Sequence, residues 1–422
     1  MVKTVIGEYI KSKESFKFDF PENKPDLVRN YLLFDKQGSG KTNLLMNICF
    51  EMYKLYYERE GKYGCLPIVF SPFFEWATLG VPSKENNLSP FREPESLETI
   101  QLTFTMSRPQ NPTKFKIIAF DFKDLTVEDI GSFANAKTNE ALGKIRKIIN
   151  MLKEGYTLKK KGSQEEITAE PNPDYTIKDF LQLVEILFGV ADSLYYVFAK
   201  LNDNDFFNVN IYGSFDWLYY IKQRKPIIIS FGNITDKNMY QAVGGYMLRK
   251  LFELSNRYFD VFLKASEINS GMIENNLTPD EEFLLKYYKI SLLFEEAHQF
   301  FPNTTSTTLT SFPVIDYYMK ISQQVGRKQG HKFNFLISQK SKFLYHGLRM
   351  EADGIFLGSK LSQDDRELLK DTYKSLDDDL INYFVRLPKF SFCLFHPNRF
   401  TDGLGGYADK FKVYRSPSGM PN

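Results

Sequence analysis

Cysteine is scarce in this chain, with three residues among 422: Cys49, Cys65 and Cys393. Each lies among apolar neighbours, and their spacing is unlike that of metal ligands. The pattern argues against a disulfide framework and a cysteine metal site. It predicts three reduced core residues in a cytoplasmic protein.

Long apolar runs and net charge are also lacking. No stretch offers the 18 uncharged apolar residues that a membrane-spanning helix needs, and residues 1–20 alternate like a strand instead of forming a signal peptide. The net charge is only +2. A nucleic-acid role therefore cannot be argued from overall charge, and any basic surface must be local or created by assembly.

Apolar residues make up 43% of the chain, and aromatic residues alone make up 16% of it. That is enough for a large core, and the length favours two or three domains. Short β-rich apolar runs alternate with helical stretches, which predicts an α/β fold with a mostly parallel sheet covered by helices on both faces. The predicted strands, besides 31–34, are residues 66–70, 115–120, 226–231, 290–294, 333–337, 354–357 and 390–395.

One segment, residues 125–222, departs from this alternation because it is helical and poor in strands. Its polar loop, residues 159–175, is followed by an aromatic-rich helical run that charged residues interrupt too often for a membrane span. The segment is predicted to be a helical insertion. It divides the core into an N-terminal part, residues 1–124, and a C-terminal part, residues 223–422.

The stretch YLLFDKQGSGKTNLLM, residues 31–46, has the order strand, glycine-rich loop, Lys-Thr and amphipathic helix. In such a loop, glycines let the backbone N–H groups approach a phosphate closely, and the helix aims its positive dipole end at the same anion. Lys41 would reach the β- and γ-oxygens, and the Thr42 hydroxyl would ligate Mg²⁺. The residues predicted to bind ATP are Gln37, Gly38, Ser39, Gly40, Lys41, Thr42 and Asn43.

Asp35 occupies the place where the usual pattern, G-x-x-x-x-G-K-[ST], has its first glycine. Aspartate tolerates left-handed backbone better than most residues, so the turn can survive, but the carboxylate must point away from the phosphates. The alternative is a chance glycine-serine turn before a surface lysine.

A second chemical motif lies in KISLLFEEAHQFFP, residues 289–302, where an apolar strand ends in Glu295 and Glu296. Alternation along the strand sends the two carboxylates to different sides. One can hold Mg²⁺ through water, and the other can polarise an attacking water beside the γ-phosphate. The pair is a weak signal alone and a strong one together with the phosphate loop.

These motifs together resemble the HerA/FtsK superfamily of ring-forming ATPases, and the HerA-like branch most. The resemblance rests on Glu-Glu-Ala-His at 295–298, on Gln-Val-Gly-Arg-Lys at 324–328, and on a strand ending in Ser-Gln at 338–339. RKPIIISFGNIT (224–235) and VFSPFFEW (69–76) match further family strands. The resemblance covers residues 29–416 and implies a RecA-like P-loop core.

The resemblance also implies residue roles. Glu295 would be the metal-side acid beside Thr42, Glu296 the water-activating base, and Gln339 a sensor of the γ-phosphate. Arg327 resembles the arginine that such rings insert into a neighbouring subunit's site. The alternatives are a solvated Arg327 and a Gln339 that merely ends a strand, while His298 is interpreted as packing locally without a metal role.

Three positions depart from the family pattern: Asp35, Glu295 in place of aspartate, and Ser71 in place of an acid whose role is either lost or taken by Glu75. About thirty residues precede the loop, too few for the N-terminal β-barrel of chromosomal HerA proteins. A motor core with a helical insertion is expected.

Two functions stay open. The first is an ATP- and Mg²⁺-dependent homo-hexameric motor that moves duplex DNA, with the polar loop 303–312 lining its channel and a nuclease, packaging or transfer protein as partner. The second is a nucleotide-dependent binding module in a secretion, virion or defence complex, with little turnover.

Overall fold

The structure is a computed structural model of the whole chain. It describes residues 2–9, 15–20, 29–36, 38–61, 64–78, 98–107, 114–136, 138–159, 166–232, 234, 236–274, 276–303, 313–322, 331–339, 341–358, 361–373, 376, 378–388, 390–396 and 407–413. Side chains are described for most of these residues, except those in 2–20, 77–78, 331–333, 383–385 and 407–413 and at 380.

A large sheet organises the molecule, and in the described part of the chain it contains 12 strands in the order β2-β1-β14-β13-β12-β3-β11-β10-β4-β9-β5-β6. Neighbours from β12 to β6 are parallel, and β2, β1, β14 and β13 extend the sheet with antiparallel pairs. The mostly parallel sheet predicted from the sequence is confirmed. Its strands, with the hairpin β7–β8, are β1 Val2–Tyr9, β2 Ser15–Phe20, β3 Arg29–Phe34, β4 Leu66–Ser71, β5 Ile100–Thr103, β6 Lys116–Ile117, β7 Tyr156–Lys159, β8 Glu166–Ala169, β9 Ile227–Ser230, β10 Ile290–Phe294, β11 His331–Ser338, β12 Gly354–Gly358, β13 Ser391–His396 and β14 Tyr407–Val413.

Helices cover both faces of the sheet. Alternate residues of the parallel strands belong to two hydrophobic clusters: Leu33 packs on one face with α1, and Leu32 on the other with α8 and the insertion. The helices are α1 Lys41–Glu58, α2 Val127–Phe133, α3 Asn139–Glu154, α4 Ile177–Phe188, α5 Ser193–Asp203, α6 Val209–Tyr212, α7 Trp217–Ile221, α8 Lys237–Asn269, α9 Pro279–Tyr287, α10 Pro313–Ser322, α11 His346–Met350, α12 Gln363–Thr372 and α13 Asp378–Val385. The three cysteines are buried and free.

The predicted insertion contains helices α2 to α7, but two expectations about it are wrong. The polar loop predicted at 159–175 includes a strand of the antiparallel hairpin β7–β8. The long helical run is two helices, because Gly189 ends α4 with φ 87° and Asp192 caps α5 by accepting a hydrogen bond from the Leu194 N–H at 2.9 Å. The insertion's aromatic residues join the same hydrophobic cluster as the sheet. The division into three regions stays a prediction.

The strand order brings the strands that carry the predicted site residues next to one another. β3 leads through α1 to β4, which lies three places away in the sheet, with β11 and β10 between them. The carboxyl ends of β3, β11, β10 and β4 therefore meet at one edge, which is where open parallel sheets bind ligands. None of the described helices is both long and apolar enough to cross a membrane.

Candidate active site

The loop between β3 and α1 depends on two glycines with left-handed backbone. Gly38 has φ 72°, and Gly40, which precedes the first residue of α1, has φ 97° and ψ 18°. A Cβ at Gly40 would lie 2.6 Å from the Phe390 ring. Both the backbone and the close ring therefore favour glycine at position 40. Gln37 lies outside the described residues.

Lys41 is buried, with 7% of its surface exposed, and its ammonium donates to the Lys36 carbonyl oxygen at 2.7 Å. Burial lowers the pKa of Lys41, while Glu296, Asp35 and Glu295 oppose that shift. The buried Ser39 hydroxyl has no hydrogen-bond partner among the described residues. An anion in this loop would meet a desolvated cation and an available hydroxyl, so the loop fits a phosphate.

The other predicted loop residues lie in the first turn of α1. Thr42 faces the acidic pair, and the Asn43 carbonyl accepts a hydrogen bond from the Asn47 side chain at 3.0 Å. The start of α1 has no side-chain cap among the described residues, so its first N–H groups face the loop.

Asp35 is buried at the exit of β3, with 1% of its surface exposed. Its Oδ1 accepts a hydrogen bond from the Lys36 N–H at 2.8 Å. A Cβ at Gly358 would lie 1.7 Å from its Oδ2, so the carboxylate lies against the end of β12. Glycine at 358 provides the room that this buried carboxylate needs.

Glu295 directly follows β10 and receives three side-chain hydrogen bonds. The Thr42 hydroxyl donates to Oε1 at 2.6 Å, while the Ser71 hydroxyl and the Trp76 indole N–H donate to Oε2 at 2.6 and 3.0 Å. Only 4% of the Glu295 surface is exposed. The carboxylate is thus fixed between the phosphate loop and the end of β4.

Thr42 and Glu295 are chemically suited to Mg²⁺, which binds proteins through one or two carboxylates plus substrate phosphates. In the described part of the chain, no group of three or more His, Cys, Asp and Glu side chains could hold a metal by itself. A metal at Thr42 and Glu295 would therefore depend on the bound nucleotide.

Glu296 follows Glu295 with left-handed backbone, φ 48° and ψ 48°, a conformation that costs a non-glycine residue energy and often marks a functional site. The Gln339 side-chain amide donates to its Oε1, and the Gln339 backbone N–H lies 3.4 Å from Oε2. Burial raises the pKa of Glu296, while Gln339 and Lys41 oppose the shift.

The sequence suggested that His298 packs only locally, but its ring also reaches a neighbouring strand. Its Nδ1 lies 3.0 Å from the Ser338 hydroxyl on β11 and 3.5 Å from Glu296 Oε2. The ring therefore joins the turn after β10 to the end of β11, on the same side as Gln339.

Glu75 adds a third carboxyl group near the loop. Desolvation is the largest cause that raises the pKa of Glu75, and the negative charges of Glu295 and Glu296 raise it further. The positive charge of Lys41 opposes both. With Asp35, four carboxyl groups surround Lys41, an arrangement whose negative charge suits a cation beside a phosphate.

Comparison with protein families gives no match, and neither does comparison with curated protein sequences. Solved structures do match. VirB4 of Thermoanaerobacter pseudethanolicus aligns with 98% of this chain and 96% of its own, at 11% identity and a TM-score of 0.51.

Two further matches have TM-scores too low to carry an argument. The genome packaging NTPase B204 of Sulfolobus turreted icosahedral virus 2, in complex with ATP-gammaS, covers 92% of this chain and 100% of its own at 9% identity and TM-score 0.35. The cytoplasmic domain of the type VII secretion ATPase EccC of Thermomonospora curvata covers 98% of this chain and 28% of its own, at 12% identity and TM-score 0.34.

The fold is an α/β, RecA-like P-loop core similar to that of VirB4. The α/β, RecA-like core implied by the sequence resemblance is thereby confirmed, while identity this low shows nothing about activity.

Within this RecA-like core, the structure brings together the predicted residues Lys41, Thr42, Glu295, Glu296 and Gln339. Arg327, Lys328 and residues 304–312 of the predicted channel loop lie outside the described residues. Sequence reasoning missed the contact of Trp76 with Glu295, because 219 residues separate the two. The only sequence signal for this contact was the pair Glu75-Trp76 shortly after β4.

A cavity of about 640 Å³ opens beside the phosphate loop. Lys36 and Gln339 line it, together with the ion pair between Lys342 and Asp364, whose charged atoms are 2.7 Å apart. Since Lys36 contacts Lys41 and Gln339 contacts Glu296, the cavity lies next to both residues, although neither of them lines it.

Proposed function

We propose that the chain is an ATPase that hydrolyses ATP to drive the movement of duplex DNA through a homo-hexameric ring. The observation that carries the ATPase proposal is the convergence of Lys41, the Thr42–Glu295 pair and the Glu296–Gln339 pair at one sheet edge. Those are the groups that phosphate binding, metal binding and water activation require.

Binding of ATP would use the phosphate loop. Backbone N–H groups of residues 38–42 and the Lys41 ammonium would hold the β- and γ-phosphates. Thr42 and Glu295 would hold Mg²⁺, which supplies charge neutralisation at the phosphate oxygens. A phosphate would add to the negative charges that stabilise the ammonium of Lys41, whose pKa burial lowers.

Hydrolysis would use Glu296 as the group that orients and polarises water. Its raised pKa brings the carboxylate closer to the basicity that a general base needs, and Gln339 holds both of its oxygens. Gln339 would also report the γ-phosphate to the rest of the subunit, because it touches the carboxylate that acts on that phosphate.

Assembly and cargo rest on the sequence resemblance to HerA/FtsK ATPases. Arg327 would complete the site of a neighbouring subunit, residues 303–312 would line a central channel, and duplex DNA would pass through it. A nuclease, packaging or transfer protein would act with the ring. These are proposals about residues that are mostly outside the described part.

Stimulation of ATP hydrolysis by duplex DNA tests the proposal. We expect hydrolysis to rise when duplex is added, and Lys41→Ala to abolish it with and without DNA, since it removes phosphate binding. Equal rates with and without DNA, in a chain that binds ATP and forms rings, would contradict the motor and favour the nucleotide-dependent binding module.

A further inference from the structure

We propose that Ser71 and Trp76 are positioning residues that aim the Glu295 carboxylate at the metal of the nucleotide site. The inference rests on the proposed ATP·Mg²⁺ site and goes beyond it, because neither residue is a metal ligand. The two act on the metal only through the orientation of Glu295.

The acceptor positions of Glu295 carry the argument. An ionised carboxylate has about four lone-pair positions. Ser71 and Trp76 both donate to Oε2, and Thr42 donates to Oε1. The only lone-pair position that these three bonds leave available is the second one on Oε1, the oxygen that also accepts from Thr42. Glu295 would therefore approach a metal, or its bound water, through Oε1 alone.

Ser71 is held so that its hydroxyl donates. Its oxygen accepts a hydrogen bond from the Phe73 N–H at 3.2 Å, which leaves the hydroxyl hydrogen for Glu295. The residue is fully buried at the end of β4. A carboxylate in its place would set two buried negative charges against each other, so Glu295 at the end of β10 and a neutral donor at 71 belong together.

The segment that carries Trp76 is fixed at two points. Its own carbonyl accepts a hydrogen bond from the Gln101 side chain at 3.2 Å, on β5. Two residues before Trp76, the Phe74 ring packs closely on Gly232, which lies just after β9. A Cβ at Gly232 would be 2.2 Å from that ring. The fully buried indole can only donate, so it holds Oε2 and cannot exchange roles.

Groups that orient a metal-binding carboxylate typically change metal affinity about tenfold or more when removed. Ser71→Ala should therefore raise by about tenfold the Mg²⁺ concentration for half-maximal binding of N-methylanthraniloyl-ATP, a fluorescent ATP analogue. Trp76→Phe should act in the same direction. The extent of binding at saturating Mg²⁺ should stay close to that of the unmodified chain.

Ser230→Ala is the matched control, because Ser230 pairs with Ser71 in the β4–β9 register and is fully buried, and its hydroxyl has no partner among the described residues. It should leave the Mg²⁺ requirement unchanged. An equal requirement in Ser71→Ala and Ser230→Ala, or analogue binding that is independent of Mg²⁺, would overturn the inference. Retention of analogue binding by Lys41→Ala would instead contradict the proposed function.

Trp76 also provides a direct spectroscopic readout. The chain has two tryptophans, and Trp217 donates to the Met247 carbonyl, in the contact between α7 and α8. In a Trp217→Phe chain, Mg²⁺ added with ADP should shift the Trp76 emission, and Glu295→Ala should remove the shift. An emission unchanged by Mg²⁺, with ADP shown to be bound, would contradict the coupling of Trp76 to the metal.

Discussion

At the scale of residues, Glu295 and Glu296 are neighbours in sequence with different environments. Glu295 is fixed by Thr42, Ser71 and Trp76, between the phosphate loop and β4. Glu296 is turned by its left-handed backbone towards Gln339, which directly follows β11. Two carboxylates placed in different surroundings can take different roles, which is how one site separates metal binding from base chemistry.

Substitution of each carboxylate tests this separation. Glu296→Gln should keep ATP bound and lower turnover by about a hundredfold or more, because the amide keeps the shape and loses the charge that orients water. Glu295→Gln should instead raise the Mg²⁺ requirement. Nucleotide binding and steady-state hydrolysis, measured over a range of Mg²⁺ concentrations, check both. Exchanged phenotypes would reverse the two roles.

The raised pKa of Glu296 predicts the acid side of the pH profile. A base must be ionised, so kcat/KM should fall as the pH drops through a value above the ordinary glutamate range. The Gln339 hydrogen bonds favour the charged form. Gln339→Ala should therefore move this limb to still higher pH, besides lowering the rate. A limb that stays in place would show that Gln339 does not control Glu296.

At the scale of elements, the site depends on how closely the ends of β3 and β12 approach. The buried carboxylate of Asp35 occupies the space that a side chain at Gly358 would need. The two positions are therefore coupled, although 35 and 358 lie in different halves of the chain. The departure from the usual glycine at 35 is accommodated by the neighbouring strand.

A double substitution tests this coupling. Gly358→Ala should lower the free energy of unfolding by about 1–3 kcal/mol, the usual cost of overpacking, and weaken ATP binding. Asp35→Gly alone should leave affinity equal or better, since the glycines, Lys41 and Thr42 remain. The two together should recover most of the Gly358→Ala loss in chemical denaturation. Additive losses, or loss of ATP binding in Asp35→Gly, would contradict the account.

Elements with strong local patterns could be predicted from the sequence, and others could not. The apolar runs that end at Phe34 and Phe294 correctly predicted β3 and β10, the strands that precede the phosphate loop and the acidic pair. β5, with the mixed residues Ile-Gln-Leu-Thr, and the hairpin β7–β8 in a charged segment escaped prediction because their pairing is decided by partners distant in sequence. Likewise, Ser71 was recognised only as a departure, since its contact with Glu295 exists only after folding.

At the scale of the whole molecule, the described sheet and the insertion share one hydrophobic cluster, while the buried site residues Lys41, Glu295 and Glu296 lie at the carboxyl edge of the sheet. Lys41 and the Glu296–Gln339 pair come from distant parts of one chain, so one subunit supplies the groups for binding and water activation. The arginine proposed to neutralise the transferred phosphoryl group would come from a neighbour.

Subunit mixing tests that division. Chains with Arg327→Ala and chains with Lys41→Ala should each be inactive alone, because each lacks one half of every interface. A mixed ring contains some interfaces with an intact lysine facing an intact arginine, so part of the hydrolysis should return. Mixed rings that stay inactive, or normal hydrolysis by Arg327→Ala alone, would show that Arg327 does not act in a neighbouring site.

The central claim, that ATP hydrolysis at this site moves duplex DNA, is tested most directly by displacement of a third strand from a DNA triplex. A translocating ring should release the labelled third strand when ATP is added, and Glu296→Gln should release none although it binds ATP and DNA. Glu274→Gln, which changes an exposed carboxylate far along the chain from the loop, should release it normally. Hydrolysis of ATP on triplex DNA without any release of the third strand would contradict the account.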